Sequence, residues 1–277
     1  MITRFAPSPT GLLHLGHAFS ALTAWDMARA EGGVFLLRIE DIDGPRCRPE
    51  FERAIDDDLH WLGLDWPLPV MRQSERLPAY GAALARLAGI GVTYPCSCTR
   101  ADIRAALTAP QEGAPGPDGP PYPGTCRGRA MASLRPGDAI RLDIARAVAI
   151  TGPIAFEETG PRHPGRHTFR PDEMIAGIGD VVLARKDIAT SYHLSVVVDD
   201  AAQGVTHVVR GEDLFAATPL HVLLQRLLGL PVPRYHHHRL IRDETGKRLA
   251  KRDDARAIRA YREAGETPAG LRALVGL

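Results

Sequence analysis

Several features are absent from this chain of 277 residues, and their absence argues against particular classes of protein. It has no apolar run of about 18 residues, so the sequence predicts no membrane-spanning helix. Its first residues are not a basic stretch followed by an apolar one, so no secretory signal is predicted. Its 4 cysteines are too few for a disulfide scaffold in a chain of this length. We therefore expect a cytoplasmic protein with reduced thiols.

The chain also lacks an excess of either charge, since its formal net charge is +1. A nucleic-acid partner would therefore have to be bound by a local basic face, not by the field of the whole protein. The hydrophobic fraction of 44% is ordinary for a globular protein. The length suffices for one large domain, or for a domain that carries an insertion.

Strand and helix patterns alternate along the first part of the chain. Residues 4–6 can be extended, residues 15–31 have helical spacing, 34–39 form a short apolar run, and 49–62 are again helical in pattern. This alternation predicts an α/β fold with a Rossmann-like, doubly wound parallel sheet. Ligands of such sheets bind beyond the carboxyl ends of the strands.

A change in composition interrupts this pattern. Residues 109–124 include six prolines and four glycines, which predicts a loop. The α/β pattern resumes in the apolar runs 179–183, 195–200 and 205–213, with a helix expected over 219–228. We predict four parts: the first half of a catalytic domain (1–93), an insertion (94–166), the second half (167–242), and a loop with a short helical tail (243–277).

Two separated motifs carry the chemistry. Residues 4–17 read Arg-Phe-Ala-Pro-Ser-Pro-Thr-Gly-Leu-Leu-His-Leu-Gly-His, and residues 246–252 read Gly-Lys-Arg-Leu-Ala-Lys-Arg. His14, Gly16 and His17 fall at the start of the predicted helix, where backbone N–H groups and the helix dipole favour an anion such as phosphate. Helix capping alone is the alternative explanation of the two histidines.

Three cysteines form a possible metal site beside the proline-rich loop. Cys96, Cys98 and Cys126 offer three thiolates, whereas a structural zinc takes four ligands. Tyr122, Asp102 or a water could supply the fourth. The alternative is that these are ordinary reduced thiols.

Together the two motifs resemble the HIGH and KMSKS signatures of class I aminoacyl-tRNA synthetases, and residues 4–11 are similar to the glutamyl and glutaminyl branch. The resemblance extends over nearly the whole chain. It implies activation of L-glutamate by ATP with magnesium, His14, His17 and Lys251 as catalytic residues, and ATP binding by the same three residues together with Gly16. The second motif departs from the family pattern, with Arg248 for the usual first lysine and Ala250 for the usual serine.

The resemblance also implies an amino-acid site and a zinc site. Two arginines suit the two carboxylates of glutamate, and an acid and a hydroxyl suit its ammonium. The implied glutamate-binding residues are Arg4, Phe5, Ala6, Pro7, Ser8, Glu40, Tyr192 and Arg210. One structural zinc ion is implied on Cys96, Cys98, Tyr122 and Cys126.

Only 26 residues follow Lys251, too few for an anticodon-binding domain. We expect a helix or two, with Ile258, Tyr261 and Leu271 packed on the body. In this the chain resembles the shortened glutamyl-Q tRNA(Asp) synthetases. That resemblance implies activation of glutamate without tRNA, followed by its transfer to the queuosine base at the wobble position of tRNA(Asp), with the anticodon stem-loop docked on a monomer. The alternatives are a truncated synthetase that charges the 3′ end of tRNA(Glu), and an inactive tRNA-binding module.

Overall fold

A computed structural model describes residues 1–99, 101–103, 121–241 and 256–277. Lys251 and the rest of the second motif lie outside the described residues. The strands are β1 (Ile2–Phe5), β2 (Val34–Ile39), β3 (Met71–Arg72), β4 (Thr93–Cys96), β5 (Ala139–Leu142), β6 (Ile154–Glu158), β7 (Gly165–Phe169), β8 (Val182–Ala184), β9 (His207–Gly211) and β10 (Arg234–His238). The helices are α1 (Leu15–Ala30), α2 (Pro49–Trp61), α3 (Leu77–Gly89), α4 (Ile144–Thr151), α5 (Pro171–Gly177), α6 (Tyr192–Ala202), α7 (Thr218–Leu227), α8 (Ile258–Glu263) and α9 (Pro268–Val275).

Two groups of parallel strands lie side by side and build the main sheet. The first has the order β1-β2-β3, and the second has the order β7-β6-β10-β9, with β7 antiparallel at the edge. The Thr206 N–H donates to the Ile2 carbonyl at 3.0 Å, which sets the start of β1 beside the start of β9. The predicted α/β fold with a parallel sheet is thus confirmed, and the sheet reverses its strand order between β1 and β9, where such folds bind ligands.

The predicted helices and strands at the N-terminus are present because local patterns specify them. The strand expected over 34–39 is β2, and the helix expected over 15–31 is α1, which ends one residue earlier. Gly32 follows the helix with a φ of +58°, a conformation that glycine adopts without steric cost. The turn there leads the chain directly into β2.

A third, antiparallel sheet has the order β4-β5-β8. It differs from the simple alternation expected from the sequence. Of the three apolar runs 179–183, 195–200 and 205–213, only the last supplies a strand of the parallel sheet, β9. The first leads into β8, and the second lies within helix α6, whose N-terminus Ser191 caps through its side chain.

The two C-terminal helices pack on the body as predicted. Ile258 and Leu271 are fully buried in the same core as α1, and Tyr261 packs at its edge. Arg272 of α9 donates to the carboxylate of Asp26 on α1 at 2.5 Å. Across the described ranges, every helix is too short or too polar to cross a membrane.

Candidate active site

A cavity of about 330 Å³ lies at the carboxyl ends of β1, β2 and β9. Most of the residues predicted for glutamate and ATP meet around it, namely Arg4, Phe5, Ala6, His14, Gly16, His17, Glu40, Tyr192 and Arg210. Pro7 and Ser8 follow β1 but are not among the residues that line the cavity; the Pro7 carbonyl accepts from the Glu40 N–H at 3.0 Å. The site therefore gathers residues from β1, α1, β2, α6 and β9 at one point.

His14 and His17 form the end of α1 that faces the cavity. The Nδ1 of His14 accepts from the Gly16 N–H at 3.1 Å, and the Nδ1 of His17 accepts from the His14 N–H at 3.2 Å. Because both Nδ1 atoms are acceptors, each neutral ring carries its proton on Nε2. The histidines thus cap the helix, as the alternative explanation held, and this also sets them as hydrogen-bond donors at the positive end of a helix dipole.

Gly16 lies close against the His14 ring. A Cβ at this position would lie 3.0 Å from the Cε1 atom of His14. An alanine would therefore press on the His14 ring and disturb the cap.

Arg4 is anchored by a buried carboxylate. Its Nε and Nη2 donate to the two carboxylate oxygens of Asp200 at 2.9 and 3.3 Å, and its Nη1 donates to the Val209 carbonyl at 3.3 Å. Among the described residues these are its partners, and they leave one hydrogen on each terminal nitrogen. A planar guanidinium held in this way can receive a carboxylate of the substrate.

The Asp200 carboxylate binds Arg38 as well as Arg4, and Arg38 in turn binds Glu40. Arg38 is completely buried on β2 and donates to Asp200 at 2.7 Å and to Glu40 at 3.3 Å. Burial raises the pKa of Glu40, although Arg38 and Arg4 offset part of that effect. For Asp200, burial alone would raise the pKa, but Arg4 and Arg38 together hold it below its ordinary value. Two cations and two carboxylates thus hold one another in place beside the cavity.

Arg210 and Tyr192 also line the cavity. Arg210 is buried on β9 and donates to the Thr218 hydroxyl at 2.7 Å and to the Leu214 carbonyl at 3.2 Å. Burial raises the pKa of Tyr192, so its hydroxyl stays protonated and can both donate and accept.

The cysteine cluster is a separate site. The sulfur atoms of Cys96, Cys98 and Cys126 all lie within 4.8 Å of one another, and Cys98 and Cys126 are 3.5 Å apart. The Tyr122 hydroxyl lies 3.4 Å from the Cys96 sulfur and 3.2 Å from the Cys98 sulfur. Asp102 instead accepts from Thr99 at 2.7 Å and is not part of the cluster.

This donor set fits a tetrahedral zinc ion. Sulfur atoms bound to one zinc at about 2.3 Å are about 3.8 Å from each other, close to the spacing here. Burial alone would raise the pKa of Cys126, but hydrogen bonds involving Tyr122 and Ser97 outweigh it and lower the pKa to about 6. The three cysteines could therefore bind a metal ion.

Several buried residues of the site were missed by the sequence analysis, chiefly Arg38, Asp200, His221, His237 and Glu158. A signal was present for two of them. Arg38 interrupts the apolar strand β2, and Asp200 is the second of two aspartates that follow three valines, so each is a charge within a buried run. A charge in such a position is stable only with a partner, and that requirement marks it as part of a site.

Comparison with known proteins agrees with this geometry. The family model described as the catalytic domain of class I tRNA synthetases (E and Q) matches residues 1–277. A Rhodobacter capsulatus protein named Glutamyl-Q tRNA(Asp) synthetase is 63% identical over the full length of both chains. A protein of the same name from Geobacter sulfurreducens is 45% identical over 95% of this chain and 79% of its own.

Solved structures show the same fold. A crystal structure of a glutamate tRNA ligase from Elizabethkingia meningosepticum, in complex with its amino acid, matches with a TM-score of 0.78 and 28% identity. All of this chain is covered, and it spans 60% of the length of that ligase. A methionyl-tRNA synthetase from Mycobacterium tuberculosis, with a TM-score of 0.62 and 12% identity, shares the fold alone. The predicted family is confirmed: the chain belongs to the glutamyl-Q tRNA(Asp) synthetases, ligases built on the catalytic domain of class I tRNA synthetases (E and Q).

Proposed function

We propose that this protein activates L-glutamate with ATP, without tRNA, and then transfers the glutamyl group to the queuosine base at the wobble position of tRNA(Asp). The observation that carries the proposal is the cavity at the end of α1, which is lined by two buried arginines, Arg4 and Arg210, together with Glu40. This charge pattern complements an amino acid that has two carboxylates and one ammonium group. The full-length similarity to proteins of that name supports the choice of RNA.

In the first step, a carboxylate oxygen of glutamate attacks the α-phosphorus of ATP, and pyrophosphate leaves. Arg4 and Arg210 bind the carboxylates, while Glu40 and the Tyr192 hydroxyl bind the ammonium. Fixed donors stabilise the negative charge that develops on the phosphates. His14 and His17 supply such donors through Nε2, and the N-terminus of α1 adds its backbone N–H groups.

Lys251 is proposed to bind the departing phosphates, on the basis of its motif. Magnesium accompanies ATP and, when bound, neutralises charge on the phosphate oxygens. In the second step the queuosine base displaces AMP from the glutamyl-adenylate, so that glutamate becomes attached to the tRNA. Since ATP and tRNA are cytoplasmic, we place the activity there, and we expect a monomer.

We propose that zinc occupies the cysteine cluster, with Cys96, Cys98, Cys126 and Tyr122 as its ligands. The role would be structural, because four protein ligands leave no open position for a substrate. The ion would tie β4 to the segment around Cys126, across a separation of 28 residues between Cys98 and Cys126.

The test is glutamate-dependent exchange of pyrophosphate into ATP in the absence of tRNA. Transfer of labelled glutamate is then measured with tRNA(Asp) that carries queuosine and with tRNA(Asp) that lacks it. Exchange without tRNA, and transfer only to the queuosine form, are the expected results. Charging of the 3′ end of tRNA(Glu) would identify a truncated ordinary synthetase, and the absence of exchange would identify an inactive binding module.

A further inference from the structure

A buried row of hydrogen bonds runs through Arg210. On one side, its Nε donates to the His237 Nε2 at 3.0 Å, and the His237 Nδ1 lies 2.5 Å from a Glu158 carboxylate oxygen. On the other, its Nη1 lies 2.9 Å from the His221 Nδ1, and the His221 Nε2 lies 2.9 Å from the His193 Nδ1. All five side chains are buried.

The chemistry of arginine fixes the proton positions along this row. A guanidinium has five N–H donors and no acceptor, so each histidine nitrogen that faces it must be unprotonated. His237 therefore carries its proton on Nδ1, directed at Glu158, and His221 carries its proton on Nε2, directed at His193. A second proton on either ring would set an N–H against an N–H of Arg210.

These bonds determine what Arg210 can offer to a substrate. With the bonds to Thr218 and Leu214, four of its five N–H groups are used within the described part of the protein. One Nη1 hydrogen remains. No carboxylate among the described residues bonds directly to Arg210, in contrast to Arg4, which is paired with Asp200. The positive charge of Arg210 is thus not paired with a carboxylate of the described residues, and its one remaining N–H group can bind a ligand.

We propose that His221 and His237 are positioning residues that orient Arg210 toward a carboxylate of the bound glutamate, and that they do so only as neutral rings. This inference rests on the proposed function of the cavity. It assigns the histidines no contact with the substrate. Their effect is on glutamate binding, and acidification that protonates either ring weakens that binding.

The surroundings of both rings keep them neutral near pH 7. Burial lowers the pKa of His221 well below its ordinary value, and Arg210 lowers it further. Burial also lowers the pKa of His237, although Glu158 opposes this effect. The titratable and charged groups that face the two rings are Arg4 on β1, Glu158 on β6, Tyr192 and His193 on α6, Arg210 on β9, and Tyr235 and His238 on β10.

Paired amide variants separate orientation from simple space filling. An asparagine at 221 can place its oxygen where the His221 Nδ1 accepts, whereas a glutamine reaches only the Nε2 position. At 237 the relation is reversed, so His237→Gln keeps the acceptor for Arg210 and His237→Asn loses it. Hydrogen bonds to a charged group contribute about 1.5–3 kcal/mol, which corresponds to about 10- to 100-fold in affinity.

The measurement is the KM for glutamate and for ATP in pyrophosphate exchange between pH 5.5 and 8. We expect His221→Gln and His237→Asn to raise the KM for glutamate about 10- to 100-fold, with the KM for ATP unchanged. His221→Asn and His237→Gln should stay within about threefold of the wild type. As the pH falls below the ordinary histidine value of 6.5, the wild-type KM for glutamate should rise more steeply than that of the double variant His221→Asn/His237→Gln, because amides do not titrate whereas Glu40 titrates in both proteins. Equal effects of the two variants at either position, or an acid rise in the KM that is as steep in the double variant as in the wild type, would overturn the inference.

A second measurement does not depend on activity or on the folding of a variant. Nitrogen-15 NMR of the labelled wild-type protein reports the tautomer of each histidine ring. We expect His237 as the Nδ1–H form and His221 as the Nε2–H form, both neutral at pH 7. A charged ring or the opposite tautomer would refute the inference even if exchange proceeds. Absence of glutamate-dependent exchange in the wild type, with these tautomers present, would instead refute the proposed function.

Discussion

Replacing Asp200 with asparagine tests how the proposed glutamate pocket is held together. The buried carboxylate of Asp200 accepts from Arg4 at 2.9 and 3.3 Å and from Arg38 at 2.7 Å. Asparagine has nearly the same shape but no charge, and its amide NH₂ would face guanidinium donors. Asp200→Asn therefore leaves two buried cations, with Glu40, 3.3 Å from Arg38, and the neighbouring Asp199 as nearby anions.

The expected cost is large. Removing one partner of a buried ion pair destabilises a protein by about 3–5 kcal/mol, because the remaining charge has lost both water and its partner. For a chain of 277 residues this corresponds to a fall in Tm of about 5–9 °C. Since the orientation of Arg4 depends on Asp200, the KM for glutamate should also rise by at least about tenfold.

The pH dependence has a definite sign. The pKa of Asp200 is lower in the folded protein than its ordinary value of 3.8, since Arg4 and Arg38 outweigh the effect of burial. Its contribution is therefore fully present above that ordinary value and is lost as the pH falls through the folded value. The difference in stability between the wild type and Asp200→Asn should stay constant from pH 8 to about pH 5 and shrink only in stronger acid.

Urea unfolding at pH 7.5 measures the loss, and Asp187→Asn is the matched control. Asp187 also pairs with an arginine, Arg185, at 3.2 Å, but its carboxylate is 65% exposed. We expect no resolvable change in stability for the control, because exposed ion pairs contribute little. If Asp200→Asn were no more destabilising than Asp187→Asn, or if it left the KM for glutamate unchanged, the reasoning would be wrong.

Three further predictions concern other parts of the molecule. Asp58 is buried, neither of its oxygens has a hydrogen-bond partner among the described residues, and burial raises its pKa to about 6. Asp58→Asn should therefore stabilise the protein at pH 8 by about 1–3 kcal/mol in urea unfolding, because the variant has no buried charge at this position. This gain in stability should vanish as the pH falls toward 4, where Asp58 itself becomes neutral. A variant that is less stable than the wild type at pH 8 would contradict this. Cys98→Ser should lower the zinc content found by metal analysis, while Cys47→Ser, which lies outside the cluster, should not; full retention in Cys98→Ser would show that the ligands are wrong. Lys251→Ala should slow pyrophosphate exchange about 100- to 1,000-fold with an unchanged circular dichroism spectrum, and a near-normal rate would remove Lys251 from the mechanism.

The parts of the fold that the sequence predicts are those that local patterns specify. Strand β2 and helix α1 were predicted because their apolar spacing and the glycines between them act over a few residues. Around the cavity, the residues of positions 4–17 were predicted from one motif whose members lie close together in the chain, whereas Glu40, Tyr192 and Arg210 were predicted from the resemblance to the family.

The remaining features depend on contacts between distant parts of the chain. Arg4 and Asp200 are 196 residues apart, and Glu158 and His237 are 79 residues apart. No local pattern reports such a pairing, so the residues that hold Arg4 and Arg210 became visible only in three dimensions. For the same reason, the apolar run that leads into β8 gave no sign that its partner is β5 of the antiparallel sheet.

The distance along the chain between Arg38 and Asp200 also has a consequence for synthesis. The two residues are separated by 162 positions. At a translation rate of about 5–20 residues per second, Asp200 emerges about 8–30 s after Arg38. During that interval β1 and β2 carry two arginines whose shared partner, Asp200, has not yet been synthesised, although Glu40 is already present beside Arg38. The charge network that holds Arg4 and Arg38 in the folded protein is therefore completed only after synthesis has passed Asp200.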